Sequence, residues 1–161
     1  ALGPQVVEGW HGVPYGKPVT RTKEYIQIMR KIFKREGPVE LDGKMYQLPN
    51  TGEGTTGLGK PLKSILAASD NIPIYTASIT PAGLRCAGEV GDGVFPVWMD
   101  PTKYSVIGDS IEEGFAKAGN GKSLKDFDIA PFVTVAMNDD LDAAYDALRP
   151  WLALYLSLIH I

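Results

Sequence analysis

The feature that most constrains this chain is a rhythm repeated three times between Pro73 and Leu152. A short apolar run is followed by a turn, then by a stretch with apolar residues at helical spacing. Pro73-Ile74-Tyr75-Thr76-Ala77-Ser78 reads as a buried strand. Thr80-Pro81 then opens a helix, Thr as its cap and Pro in its first turn, with Leu84, Ala87 and Val90 as its apolar stripe. Gly91-Asp92-Gly93 turns into a second strand, Val94 to Trp98, and a helix follows across Val106 to Ala118, with Ile107, Ile111 and Phe115 four apart. After a loop from Gly119 to Asp126, a third strand is expected from Ile129 to Met137. Asn138-Asp139-Asp140 then caps a last helix lined by Leu141, Ala144, Tyr145, Leu148 and Leu152, which Pro150 should kink or split. Successive strand–helix units imply parallel strands joined by right-handed crossovers. Two α/β architectures use that unit, the open doubly wound sheet and the closed (β/α)8 barrel. A complete barrel takes about 250 residues, so a chain of 161 holds about half of one.

The first 72 residues follow another pattern. Gly3 to Pro18 is rich in glycine, proline and aromatic residues and reads as an ordered loop. Tyr25, Ile26, Met29, Ile32 and Phe33 then recur at helical spacing. Thr20 or Thr22 is the expected cap, Glu24 sits in the first turn, and Gly37-Pro38 ends the helix. Val39-Glu40-Leu41 and Lys44 to Leu48 flank Asp42-Gly43, a hairpin signal in which glycine tolerates the positive φ of a tight turn. Pro49 to Pro61 reads as a long glycine-rich loop.

Composition narrows the function classes. The formal net charge of −3 argues against a nucleic-acid or anionic-membrane binder. Hydrophobic residues at 44% and charged residues at 22% exclude a disordered chain. No apolar run approaches the roughly 20 residues of a membrane span. One cysteine, Cys86, cannot form an internal disulfide and suits a reducing compartment, so a cytoplasmic location is expected. Residue 1 is not Met and Ala1-Leu2-Gly3-Pro4 reads as a loop leaving a preceding element, so a fragment is expected.

Several motifs could carry chemistry. Gly54-Thr55-Thr56-Gly57-Leu58-Gly59-Lys60-Pro61 approaches the nucleotide-cradling loop, but Pro61 stands where a Mg²⁺-ligating hydroxyl belongs, and no hydrophobic strand leads in. A flexible glycine loop is the better reading. Ala77-Ser78-Ile79-Thr80-Pro81 is stronger: a loop at the C-terminal end of a parallel strand runs into a helix whose positive end favours an anion. It is either a phosphate or ring-edge contact for a cofactor, or an ordinary capped helix. Trp98 ends the second strand at the end where barrel and open-sheet enzymes place their sites, where it either stacks on a flat ring or packs in the core. His11 and His160 are the only histidines, and no His, Cys, Asp or Glu group has metal-ligand spacing. Ser78 has no base near it in sequence. Glu112-Glu113 reads as a solvated helix face and Cys86 as a buried, inert thiol.

Taken in order, Gly3-Pro4-Gln5-Val6-Val7-Glu8-Gly9-Trp10-His11-Gly12, Pro14 to Pro18, Gly57 to Lys63, Ile72 to Tyr75, Gly91 to Trp98 and Ala130 to Ala136 resemble the bacterial luciferase-like monooxygenase family. More narrowly they are similar to its coenzyme F-420 (deazaflavin)-dependent oxidoreductases. The resemblance implies part of a (β/α)8 TIM barrel: strands five to seven with their helices over residues 1–156, and the family's insertion over 39–61. It implies that strands one to four and eight are absent. Residues 157–161 depart from the family and read as a non-native tail. The implied cofactor is coenzyme F-420, with FMN and a monooxygenase as the alternative, and the implied partner is a small organic substrate. The parent is expected to be a homo-oligomer, and a non-catalytic, self-associating half-barrel is the alternative from another class. The implied cofactor contacts are Gly3 in the loop after strand four, Ala77, Ser78, Ile79 and Thr80 after strand five, and Trp98 after strand six. Relatives often carry glycine where this chain has Ile79. Sugar-phosphate-oxidising members carry an acid where it has Pro4, which argues against that substrate class. No catalytic acid or base and no metal is implied within these residues.

Overall fold

The computed structural model describes residues 3–159, with side chains as far as Ala153. The chain forms two compact units, Ala1–Pro131 and Phe132–Ile161.

The first unit opens with a helix, α1 (Pro4–His11), where the sequence predicts a loop. Pro4 fills the first helical position, where no N–H is needed, and Gly12 closes the helix at φ 61°. None of its residues is buried. The next helix, α2, spans Pro18–Lys34. Pro18 again takes the first position, so neither Thr20 nor Thr22 is the cap, and Glu24 lies in the second turn rather than the first. Arg35, at φ 50°, ends it before Gly37 is reached.

A short antiparallel hairpin follows, β1 (Leu41–Asp42) with β2 (Gln47–Leu48). Asp42 belongs to the strand, so the turn is Gly43 to Tyr46 rather than a two-residue turn on Asp42-Gly43. Gly43 is needed for space, not for a positive φ. A side chain there would collide with the Glu24 carboxylate, and its Cβ would stand 2.7 Å from the Tyr46 carbonyl oxygen. The glycine-rich segment after Pro49 is exposed and loop-like. Gly54 and Gly57 have positive φ, and no helix follows Lys60, unlike a nucleotide-cradling loop.

The predicted strand–helix units form as β3 (Tyr75–Ala77), α3 (Pro81–Val90), β4 (Gly93–Phe95), α4 (Ser105–Ala118) and β5 (Asp128–Ile129). The strands are parallel in the order β3-β4-β5. β5 is far shorter than the predicted Ile129–Met137 strand; one further bond, Ala130 N–H to the Val94 carbonyl at 3.0 Å, extends it. The core lies between sheet and helices: Leu84, Ala87, Val94, Ile107, Ile111, Phe115 and Phe127, with Met99, Tyr104 and Ile129 against it. Helices α3 and α4 approach until backbones touch. A Cβ built at Gly88 would collide with the Ile111 carbonyl oxygen and lie 3.2 Å from the Gly114 Cα. Cys86 is buried on α3, and burial raises its thiol above the ordinary value. Glu112 and Glu113 are exposed as expected, Glu113 pairing with Arg85 at 3.2 Å.

The C-terminal end of α3 and the turn into β4 are tied by charges. Asp92 accepts the Ile74 N–H at 2.7 Å and both its oxygens receive the Arg30 guanidinium at 2.9 Å. Lys122 donates to the Gly88 carbonyl at 2.7 Å and to the Gly91 carbonyl, a cation on a helix C-terminus where the dipole favours it. On the sheet face away from the helices, the Tyr75 ring lies across Gly93, stacks on Phe95 at 4.9 Å and donates its hydroxyl to Asp128 at 2.9 Å.

In the second unit, α5 spans Leu141–Ile159. Asn138 and Asp140 side chains accept the N–H groups of Asp140 and Asp142, each at 3.0 Å, as the predicted cap requires. Pro150 does not split the helix. Residues 160 and 161 lie outside the described residues, so His160 and the end of the expected 157–161 tail have no structural account.

Candidate functional site

The parallel register fixes the site's frame. Ala77 pairs with Phe95, so Ser78 and Pro96 leave the sheet side by side at its C-terminal end. Ala77 is exposed, Ser78 half-buried, and Ile79 exposed. Thr80 is the N-cap of α3, its hydroxyl oxygen accepting the Gly83 N–H at 3.2 Å. The loop is folded onto the first helical turn: a Cβ at Gly83 would meet the Ser78 Oγ at 2.9 Å and the Thr80 Oγ1 at 3.1 Å. Pro81 has no N–H and Thr80 takes that of Gly83. No described hydrogen bond uses the Ala82 N–H, which remains as a donor at the positive end of the helix.

Two residues beyond Pro96, Trp98 stands in the left-handed region at φ 56°. A bulky residue there is strained, and such residues concentrate at ligand sites. Its side chain is partly exposed, so it is a surface at the end of the sheet rather than a core tryptophan. Asp100 then caps a 3-10 turn by accepting from the Thr102 N–H at 2.9 Å and hydroxyl at 2.7 Å, and these bonds hold its carboxyl below the ordinary value.

Five of the predicted contacts, Ala77, Ser78, Ile79, Thr80 and Trp98, thus share one end of the sheet. Gly3 is the N-cap of α1, and its described hydrogen bonds, to the Val6 and Val7 N–H groups, stay within that helix. His11 is exposed in the last turn of α1. Sequence reasoning missed Gly83, whose only signal is the small residue three after the cap. It also missed Tyr75, Phe95 and Asp128 on the open face. Strand alternation opposite Ile74 and Val94 places the two aromatic residues there. Among the described residues no His, Cys, Asp or Glu group could hold a metal, and no helix is long and apolar enough to cross a membrane. A groove of about 1250 Å³ lies at the other end of the sheet, by Gly91, Asp92 and Asp126, and four of its cations are engaged: Lys23 with Glu89, Arg30 with Asp92, Lys31 with the Glu40 carbonyl, and Lys122 with carbonyls.

The model of the luciferase-like monooxygenase family matches residues 2–159. The chain belongs to that family. A Mycobacterium tuberculosis protein named for coenzyme F-420-dependent oxidoreductase activity is 44% identical over 155 residues, 96% of this chain and 45% of that protein. A 5,10-methylenetetrahydromethanopterin reductase from Archaeoglobus fulgidus is 30% identical over 138 residues, 86% of this chain and 37% of that protein. The chain therefore spans less than half the length of these relatives. An F-420-dependent secondary alcohol dehydrogenase structure superposes with a TM-score of 0.71 at 24% identity, over 89% of this chain and 41% of that one. The fold is thus part of a (β/α)8 barrel, which decides between the two architectures left open by the strand–helix rhythm.

Proposed function

We propose that this chain is a portion of a coenzyme F-420-dependent oxidoreductase, contributing one side of the cofactor site at the C-terminal end of the barrel strands. The observation that carries this reading is the 44% identity over 96% of the chain to a protein named for that activity. The local chemistry suits it. An anionic group of the cofactor is received by the Ala82 N–H and the positive end of α3, with the Ser78 hydroxyl beside them. Small Ala77 lets a ring edge approach the backbone, and Trp98 supplies a partly exposed indole for a flat ring. When bound, the deazaflavin supplies hydride transfer to or from a small organic substrate. The residues of this chain bind, orient and shield.

A fluorescence titration of the purified chain with coenzyme F-420, with FMN in parallel, tests the reading. Saturable F-420 binding that falls at least tenfold in Ser78→Trp supports it, a loss of about 1.4 kcal/mol. Equal or tighter FMN binding would move the chain to the FMN-dependent monooxygenases of the same fold. Failure of both cofactors to bind a sample folded by circular dichroism would overturn the half-site.

A further inference from the structure

One buried carboxylate outside the strand-end loops is held by backbone donors. Glu24, on α2, is the buried charged residue among those described, 8% exposed. Its Oε1 accepts the Lys44 N–H at 2.7 Å, and its Oε2 accepts the Met45 and Tyr46 N–H groups, both at 2.9 Å. No described ion pair includes it. Three consecutive backbone donors therefore do what a cation does elsewhere: they satisfy a carboxylate removed from water. The turn that supplies them is closed by its own bond, Gly43 N–H to the Tyr46 carbonyl at 3.0 Å, and the absence of a side chain at Gly43 leaves the seat open.

We propose that the 43–46 turn is a carboxylate receptor whose resident ligand is Glu24, and that this contact docks the hairpin onto α2. Both oxygens are held, one by a single donor and the other by two, which is the pattern a free carboxylate also satisfies. Nothing in the contact needs the rest of the glutamate except its tether. With the tether cut, a small carboxylate such as formate takes the seat. None of the residues that form this seat is among the proposed cofactor contacts.

The test is amide hydrogen exchange at Lys44, Met45 and Tyr46 in the full chain. Glu24→Ala is expected to speed exchange at these three amides at least tenfold. Sodium formate should then restore protection saturably, while sodium chloride at equal ionic strength does not. Gly43→Ala obstructs the seat itself, so it should lose protection without formate rescue. Unchanged exchange in Glu24→Ala, rescue by formate no better than by chloride, or formate rescue of Gly43→Ala would each overturn the proposal. Should Glu24→Ala be unfolded, refolding by formate but not chloride supports it. In that case Glu24→Gln, which keeps the side-chain length but offers one acceptor oxygen, is read instead: wild-type protection there overturns the proposal and reduced protection supports it.

Discussion

Lowering the pH acts on Glu24 through a balance of opposing effects. Burial pulls its carboxyl up. The amides of Met45, Lys44 and Tyr46, with the Lys44 charge, outweigh burial and hold it below the ordinary 4.5. A group whose pKa is lower in the folded than in the unfolded chain lends stability above the unfolded value, and that stability is lost as pH falls through the folded one. Protection of the hairpin amides is therefore expected to decline below about pH 4.5, and Glu24→Gln to remove that part of the pH dependence in an exchange series. Thr80 gives a second expectation at this scale: Thr80→Ala removes the N-cap of α3 and should cost about 1 kcal/mol in urea unfolding, with Thr80→Ser close to wild type. The two residues differ in how far the sequence reveals them. Thr80-Pro81 is a local signal, because a cap and its partner lie within one turn. Glu24 and its donors are about twenty residues apart, and spacing along the chain cannot announce a carboxylate that folds back onto another segment's backbone.

Among the elements, the crossing of α3 and α4 sets the firmest limit on sequence. Alanine is ordinarily better than glycine in a helix by about 1 kcal/mol. At Gly88 and Gly114 that preference is reversed by contact, since an added Cβ at either meets the opposite backbone. Gly88→Ala and Gly114→Ala are each expected to destabilise by roughly 1–3 kcal/mol through overpacking, measurable as a lower urea midpoint with an unchanged slope. Helical spacing made α2, α3 and α4 legible because each buries a stripe: Ile26, Leu84 with Ala87, and Ile107, Ile111 and Phe115. α1 is short, eight residues with none of them buried, in a stretch rich in glycine and aromatic residues, and so read as loop. β5 was drawn too long because an apolar run reads as strand without marking where regular pairing stops.

Within the first unit the three-stranded sheet is covered by helices on one side. Helices cover the face of Ile74 and Val94, while Phe95 and Ala77 on the other face stay exposed. Among the described residues neither β3 nor β5 has a second neighbour in the sheet. Unpaired strand edges beside exposed apolar side chains promote association. Sedimentation velocity across a concentration series is expected to show growing mass, and a monomer at every concentration would contradict this. At this scale the strand–helix rhythm revealed the parallel sheet and the end at which the candidate residues gather. It left the barrel and the open sheet equally admissible, because both are built from one unit and differ only in what closes them. The proposed cofactor-side positions, Ala77 to Thr80, were legible as a strand end running into a capped helix. The strain at Trp98 was not, since a backbone angle leaves no mark on residue type.

The tyrosine ring that spans the sheet also provides a resonance by which the fold can be watched. One α-proton of Gly93 points toward the Tyr75 ring, in the direction a side chain would have taken. The circulating electrons of that ring displace the proton's chemical shift from the usual glycine range and widen the separation between the two α-protons of Gly93. In Tyr75→Leu the pair should move closer together, so a single glycine cross-peak reports whether β3 and β4 are in register.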